Sequence, residues 1–214
     1  DDLEETAIRV VLAPDSSFDY ALFYATGTTE WVKVNGGKGL KFQAIKSLYS
    51  DTSFYFLNVE NSDGKRITSK NTLSLNPNIN TSSYDYYNYH EENLVNFPKS
   101  GRDFYGEYFD LTNVYSFRWS DGAFVTGDSI AAEVSLAALY KDTSSFMVNG
   151  NGLNFMVTAN GIQSNTYSDF AAPAKRSAWS INQNPSEIAI SISKITYKSI
   201  GWLDKLTINA RRSL

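Results

Sequence analysis

"EIAISISKITY", residues 187–197, places Ile188, Ile190 and Ile192 on one side of an extended chain and Ala189, Ser191 and Ser193 on the other. Side chains of a β-strand alternate between faces, so this spacing predicts a strand with one face in a core and the other wetter. Runs of similar character recur through the second half: "VYSFRW" at 114–119, "SFMVNGNGLNFMVTA" at 145–159 and "GWLDKLTINARRSL" at 201–214. Gly, Asn, Asp and Ser separate them at near-regular intervals, the pattern of an antiparallel sandwich, with jelly-roll connections as one way to join it. "SIAAEVSLAALY" at 129–140 suits helix or strand, because its alanines fit both.

The first half has the same texture. "TAIRVVLA" at 6–13 is rich in β-branched residues and ends at Pro14-Asp15-Ser16. "FDYALFYATG" and "EWVKV" follow, then the turn "NGGKG" at 35–39. "SFYFLNVE", "NSDG" and "KRITS", spanning 53–69, read as a hairpin whose Asp63-Gly64 supplies the turn. From about Leu75 to Lys99 the chain is polar, Tyr-rich and poor in β-branched residues, which predicts a linker with one helical turn around "HEENLVNF" at 90–97. The expected fold class is therefore all-β. Two β domains are expected: residues 1–95, carrying the Tyr-rich linker, and a β-sandwich over 96–214.

The 214 residues are enough for these two units, and 42% hydrophobic against 20% charged residues excludes a disordered chain. A net charge of −4 gives no general attraction for nucleic acid, and Lys175-Arg176 and Arg211-Arg212 are short enough to be solvated surface. No run of apolar residues is long enough to span a membrane as a helix. The opening, "DDLEETAIRVV", is acidic and enters a strand-like run, which is not the pattern of a secretory signal.

Cysteine is absent, which removes disulfides, thiolate metal sites and a cysteine nucleophile from this chain. His90 is the single histidine, so a two-histidine zinc site is impossible; it is expected as a linker residue beside Glu91 and Glu92. No nucleophile elbow or phosphate-binding loop occurs. The turns "NSDGK" and "SDGAFVTGD" are oxygen-rich enough for a structural calcium ion, yet lack the spacing of a dedicated calcium loop, and no cofactor is expected.

Two aromatic stretches remain. Tyr84, Tyr86, Tyr87 and Tyr89 form a candidate contact surface for a sugar or a partner, or pack the linker down. "KSGRDFYGEYFD" at 99–110 mixes Arg102 and Glu107 with Phe104, Tyr105 and Phe109 but holds no nucleophile. It is expected to act as a clasp at the domain junction, with Arg102 paired to Glu107 and the rings anchoring the chain.

Several phrases together carry a resemblance. "LEETAIRV", "FDYALFYATGTTEW", "YSDTSFYFL", "GKRI", "YHEENLVNFPKSGRDFYGEYF", "SFRW…VTGDSIAAEVSLAA" and "GWLDKLTINARRSL" occur in an order similar to the region ahead of the peptidase domain in PorU-type sortases. These are gingipain-like cysteine endopeptidases of the type IX secretion system in Bacteroidetes. The family more often has Glu and Trp where Asp103 and Phe104 stand here. The resemblance implies a parent protein at the outer membrane surface that removes sorting domains from secreted cargo and attaches the cargo to an anionic lipopolysaccharide. It implies a downstream peptidase domain of the same polypeptide as partner, with cargo or other secretion proteins as further contacts. The catalytic Cys and His of the family would lie in that domain, so no catalytic residue is implied here. Two rival readings rest on the residues alone: a free-standing carbohydrate-binding or adhesin sandwich using the tyrosines, and a small glycoside hydrolase using acids such as Glu107.

Overall fold

The computed structural model describes residues 4–35, 37–47, 49–71, 76–97, 103–162 and 170–214. It is all-β, as expected, and among the described residues there is no helix. The chain divides into two compact units, one of residues 1–30 and 46–80, the other of 31–45 and 81–214.

The second unit is a sandwich. Its back sheet runs in the order β12-β11-β14-β9, formed by Leu153–Ala159, Ser144–Gly150, Ile188–Lys194 and Val114–Trp119. Its front sheet runs β13-β10-β15-β5, formed by Ala172–Ile181, Ser129–Leu139, Ile200–Ser213 and Ser83–His90; the short strand β8, Tyr108–Phe109, pairs with the start of β15. All these pairs are antiparallel. Ile188, Ile190 and Ile192 are buried and meet Phe146, Val148 and Phe155 of the back sheet and Ile130, Val134, Leu206 and Ile208 of the front one. The alternation in "EIAISISKITY" thus becomes one wall of the core.

The ambiguous 129–140 stretch is strand β10, because its even-numbered residues, Ile130 to Ala138, fill the core while β13 and β15 pair along both edges. Between Ser135 and Leu136 the register against β15 shifts, leaving Asp204 as the extra residue of a bulge. Without that shift Leu203 and Leu206 would face opposite ways; with it both enter the core.

The outer face of the front sheet is also covered. Ala131, Ala137, Thr207 and Asn209 are buried there although they point away from the sandwich core. The hairpin of β3, Thr29–Lys33, and β4, Phe42–Lys46, is bound to this face at Asn209, Glu133 and Lys205. A second short pair, β6 at Val95–Asn96 and β7 at Phe104–Tyr105, stands where a helical turn was expected.

Three expectations are corrected. The Tyr-rich stretch is not simply a linker: Ser83–His90 is an eight-residue strand along the second half of β15. Tyrosine is a strand former, and alternation among Tyr, Asp and Asn can carry a strand without β-branched residues. The 53–69 hairpin is not formed. Its second arm instead touches the first unit's β1, Ile8–Leu12, through a parallel bridge between Arg66 and Ile8, with Ile8 N donating to Lys65 O at 3.0 Å and Ile67 N to Ile8 O at 2.9 Å. The opposite edge of β1 pairs with β2, Phe18–Phe23. Finally, residues 103–110 lie inside the second unit and not at a boundary between the two.

Candidate functional site

Strand β5 sorts the four tyrosines by parity. Tyr86 turns inward, edge-on to Phe124 at 5.2 Å, and its hydroxyl donates to the Asp121 carboxylate while accepting from Asn88 Nδ2 at 3.0 Å. Burial, and then the hydrogen bond to Asp121, push its pKa up to about 12. Tyr84 lies on the same side near the strand's start, with its hydroxyl accepting from Arg212 Nη1 at 3.3 Å. Tyr87 and Tyr89 face the other way, beneath Trp31 at 4.5 and 5.7 Å, and Tyr87 also meets Phe42 at 4.5 Å. The tyrosines therefore do not form one platform. Tyr84 and Tyr87 keep 38% and 37% of their surface, on opposite faces.

Asn209 of β15 fastens the β3–β4 hairpin to this sheet. Its Oδ1 accepts the backbone N–H groups of Lys41 and Phe42 at 2.6 Å each, and its Nδ2 donates to Phe42 O at 3.1 Å. Lys205 Nζ donates to Ala44 O at 3.2 Å. Buried Glu133 takes Lys175 at 2.7 Å and Gln43 Nε2 at 3.1 Å, so its charge is compensated where the hairpin covers it. Sequence reading missed this strap because a buried Asn or Glu on a strand looks the same as a solvated one until its partner is known.

Asp85, on the same strand as the tyrosines, bridges Lys41 and Arg211 at 3.1 Å each. Burial pushes its carboxyl up, but hydrogen bonds and charge from Arg211 and Lys41 outweigh that and hold its pKa below the ordinary 3.8. A folded pKa below the unfolded one means that the unfolded chain binds more protons across that interval. The stabilisation is present above about pH 4 and is lost as pH falls through the lowered folded value. Calorimetric melting between neutral and acid pH should show a shallower acid loss of Tm in Asp85→Asn than in the wild type. Equal slopes would mean that Asp85 is not held low.

Two of the three expected rings anchor the 103–109 stretch, Phe109 and Tyr105, and Phe104 does not. Phe109 is in the core, edge-on to Tyr115 at 4.9 Å and to Phe146 at 5.4 Å. Tyr105 stacks flat on Phe97 at 4.7 Å, and Phe97 in turn meets Trp202 at 4.7 Å and Phe170 at 5.0 Å. Burial, then the charges of Asp204 and Asp103, raise the Tyr105 pKa. Phe104 remains partly exposed. The expected Arg102–Glu107 pair lies outside the described residues.

Glu107 meets His90, Oε1 to Nε2 at 2.5 Å, and Glu107 Oε2 is buried with no hydrogen-bond partner among the described residues. His90 also meets the Phe117 ring at 4.6 Å. A carboxylate that orients an imidazole is half of a nucleophile-activating arrangement; here neither neighbour of the ring carries a hydroxyl or thiol to activate. The pair ties the end of β5 to the segment before β8. No group of three or more His, Asp or Glu residues is placed to hold a metal among the described residues. In the oxygen-rich turn at 120–128, the carbonyls of Asp121 and Gly122 accept from Arg212 at 2.6 and 3.0 Å.

No protein-family model matches this sequence, and no curated protein matches it. Among solved structures, dimeric latent PorU from Porphyromonas gingivalis is similar, with a TM-score of 0.72 at 16% identity over 98% of this chain and 20% of that one. The chain thus spans one-fifth of the PorU chain, and at this identity the likeness is one of fold. A CBM36 domain of a multidomain xylanase from the hindgut metagenome of Trinervitermes trinervoides has a TM-score of 0.39 at 13% identity, over 58% of this chain and 96% of that one. A carbohydrate-binding module CBM36 in complex with calcium and xylotriose has a TM-score of 0.37 at 11% identity, over 59% and 98%.

Proposed function

We propose that this chain is a non-catalytic β region of a larger PorU-type, gingipain-like cysteine endopeptidase at the outer membrane surface. Its role there is to support the peptidase domain of the same polypeptide and to offer surface to cargo or other secretion components. The observation that carries this reading is the extent of the fold likeness: nearly the whole chain is matched by one-fifth of PorU. The chemistry agrees with it. A cysteine peptidase needs a thiolate and a base, and this chain has no cysteine, while its one histidine is held between Glu107 and Phe117.

The test is to express the parent's peptidase domain with and without this region and to assay both, and this chain alone, on peptides that carry a cargo cleavage site. The chain alone should give no thiol-dependent hydrolysis, and removing it should lower the yield and melting temperature of the peptidase domain. Hydrolysis by the isolated chain, or a peptidase domain indifferent to its removal, would overturn the proposal.

A second reading, a carbohydrate-binding or adhesin module, is favoured by the part-exposed rings of Tyr84 and Tyr87. It requires glycan-array binding that disappears in Tyr87→Ala. Tyr86→Ala is a poor probe, because that ring is part of the core.

A further inference from the structure

The oxygen-rich turn "SDGAFVTGD" at 120–128 and the basic pair Arg211-Arg212 look unrelated in sequence, yet the fold joins them. Ser213 N donates to Ala123 O at 2.8 Å and Val125 N to Arg211 O at 2.9 Å, so the turn lies along the end of β15. Phe124 and Arg212 form an antiparallel bridge there. Two successive left-handed residues bend the turn, Gly122 at φ 68° and Ala123 at φ 57°. An alanine seldom adopts that conformation, and it persists only where its surroundings hold it. The Arg212 guanidinium supplies such a hold. Its Nη2 donates to Asp121 O at 2.6 Å, its Nε to Gly122 O at 3.0 Å, and its Nη1 to the Tyr84 hydroxyl at 3.3 Å. Tyr84 stands opposite Arg212 in the β5–β15 ladder, and the Tyr86 ring lies beneath the guanidinium, 5.8 Å from its carbon.

We propose that residues 121–124, with Tyr84 and Tyr86, form a guanidinium-binding site that the chain fills with its own Arg212. The partners of Arg212 are those of a bound cation and not of an ordinary ion pair. Its three hydrogen bonds all end on neutral oxygens, while the Asp121 carboxylate accepts from the Tyr86 hydroxyl instead. Backbone carbonyls are the oxygens that a calcium ion would otherwise take from such a turn, and an aromatic face attracts an organic cation. The shape of the site selects between these two classes. Its acceptors spread across three nitrogens of one planar group, above a ring on which a flat cation can lie. A guanidinium presents five donors in a fixed fork, whereas an ammonium is a compact point charge with three. Emptied of its own side chain, the site takes a free alkylguanidinium in preference to an alkylammonium or a calcium ion.

Thermal melts of the full chain and three variants test this, with methylguanidinium chloride, methylammonium chloride and calcium chloride as probes at equal ionic strength. Arg212→Ala should melt about 3–8 °C below the wild type, since it loses several hydrogen bonds to a charged group. Methylguanidinium at millimolar concentration should raise the melting point of Arg212→Ala saturably, because a ligand that binds only the folded chain stabilises it. The other two salts should not, and the wild type should gain nothing from any of the three. Arg212→Lys keeps the charge without the fork and should still melt below the wild type. Arg118→Ala removes a guanidinium that pairs with the Glu187 carboxylate at 2.7 Å and should show no response to methylguanidinium. If Arg212→Ala is recovered unfolded, its refolding yield with and without methylguanidinium gives the same reading. The proposal is overturned by absence of this rescue, by equal rescue with methylammonium or calcium, or by an equal gain in the wild type or Arg118→Ala. An Arg212→Lys variant as stable as the wild type would also overturn it, because charge alone would then suffice.

Discussion

Phe109→Ala should lower the melting temperature by roughly 6–20 °C. Removing a fully buried Phe costs about 3–5 kcal/mol, and in a protein of this size each kcal/mol moves Tm by about 2–4 °C. Phe109 is 0% exposed and edge-on to both Tyr115 and Phe146, so its loss opens a cavity that spans both sheets. It also sits on β8, whose pairing with Gly201 and Trp202 begins the long strand β15. The loss should therefore loosen the segment that carries Glu107 to His90 as well. Denaturant unfolding followed by tryptophan fluorescence measures the cost. A change below about 1 kcal/mol would mean that the ring does not occupy a packed core.

Gly150→Ala is expected to be as severe for a different reason. Gly150 has φ of 141°, a conformation that side-chain-bearing residues rarely adopt, and a Cβ built there would lie 2.0 Å from the carbonyl oxygen of Ala189. The backbone strain alone is about 1–3 kcal/mol. The clash adds to it, because the obstacle is main chain of the neighbouring strand β14 and cannot rotate away. Relief requires β11 and β14 to separate where Asn149 pairs with Ser191, next to the isoleucine wall. Little folded protein should be recovered. Gly122→Ala is the matched control, with φ of 68° and open space around the added carbon, and should cost only about 1 kcal/mol. Equal behaviour of the two variants in thermal melts would show that strain, not the clash, governs this turn.

Much of the sandwich was legible before any coordinates. Ile188, Ile190 and Ile192 announced one inward face, and the runs at 114–119, 145–159 and 201–214 are all strands, because period-two alternation with turn residues between has few other uses. The strands that escaped notice lack that signature. Strand β13 carries Lys175 and Arg176 in mid-strand at the edge of its sheet, where charge is tolerated and guards against unwanted pairing. Strand β5 alternates tyrosine with polar residues and is read on both faces, so neither side shows a plain apolar stripe. The 53–60 run has the strongest strand sequence in the first half, but pairing is a property of two segments, and "KRITS" joins β1 instead.

The candidate site was legible in parts. The anchoring by Tyr105 and Phe109 follows from the size of their rings, whereas Phe104, of equal size, stays partly exposed. The partner of Glu107 was not legible: His90 lies 17 residues away and reaches it only because β5 and the segment before β8 share one edge of β15. Nor could spacing reveal that Asn209 grips a hairpin more than 160 residues earlier in the chain.

The sequence by itself determined that this chain is all-β, with a core wall at 188–192 and no cysteine chemistry, since those properties are set by local alternation and by residue identity. Only the tertiary structure decided which strands share edges, where the bulge at Asp204 turns Leu203 inward, and that the front sheet is covered on both faces. Those depend on contacts between segments far apart in the chain, and no local pattern of side chains encodes which distant edge a strand will meet.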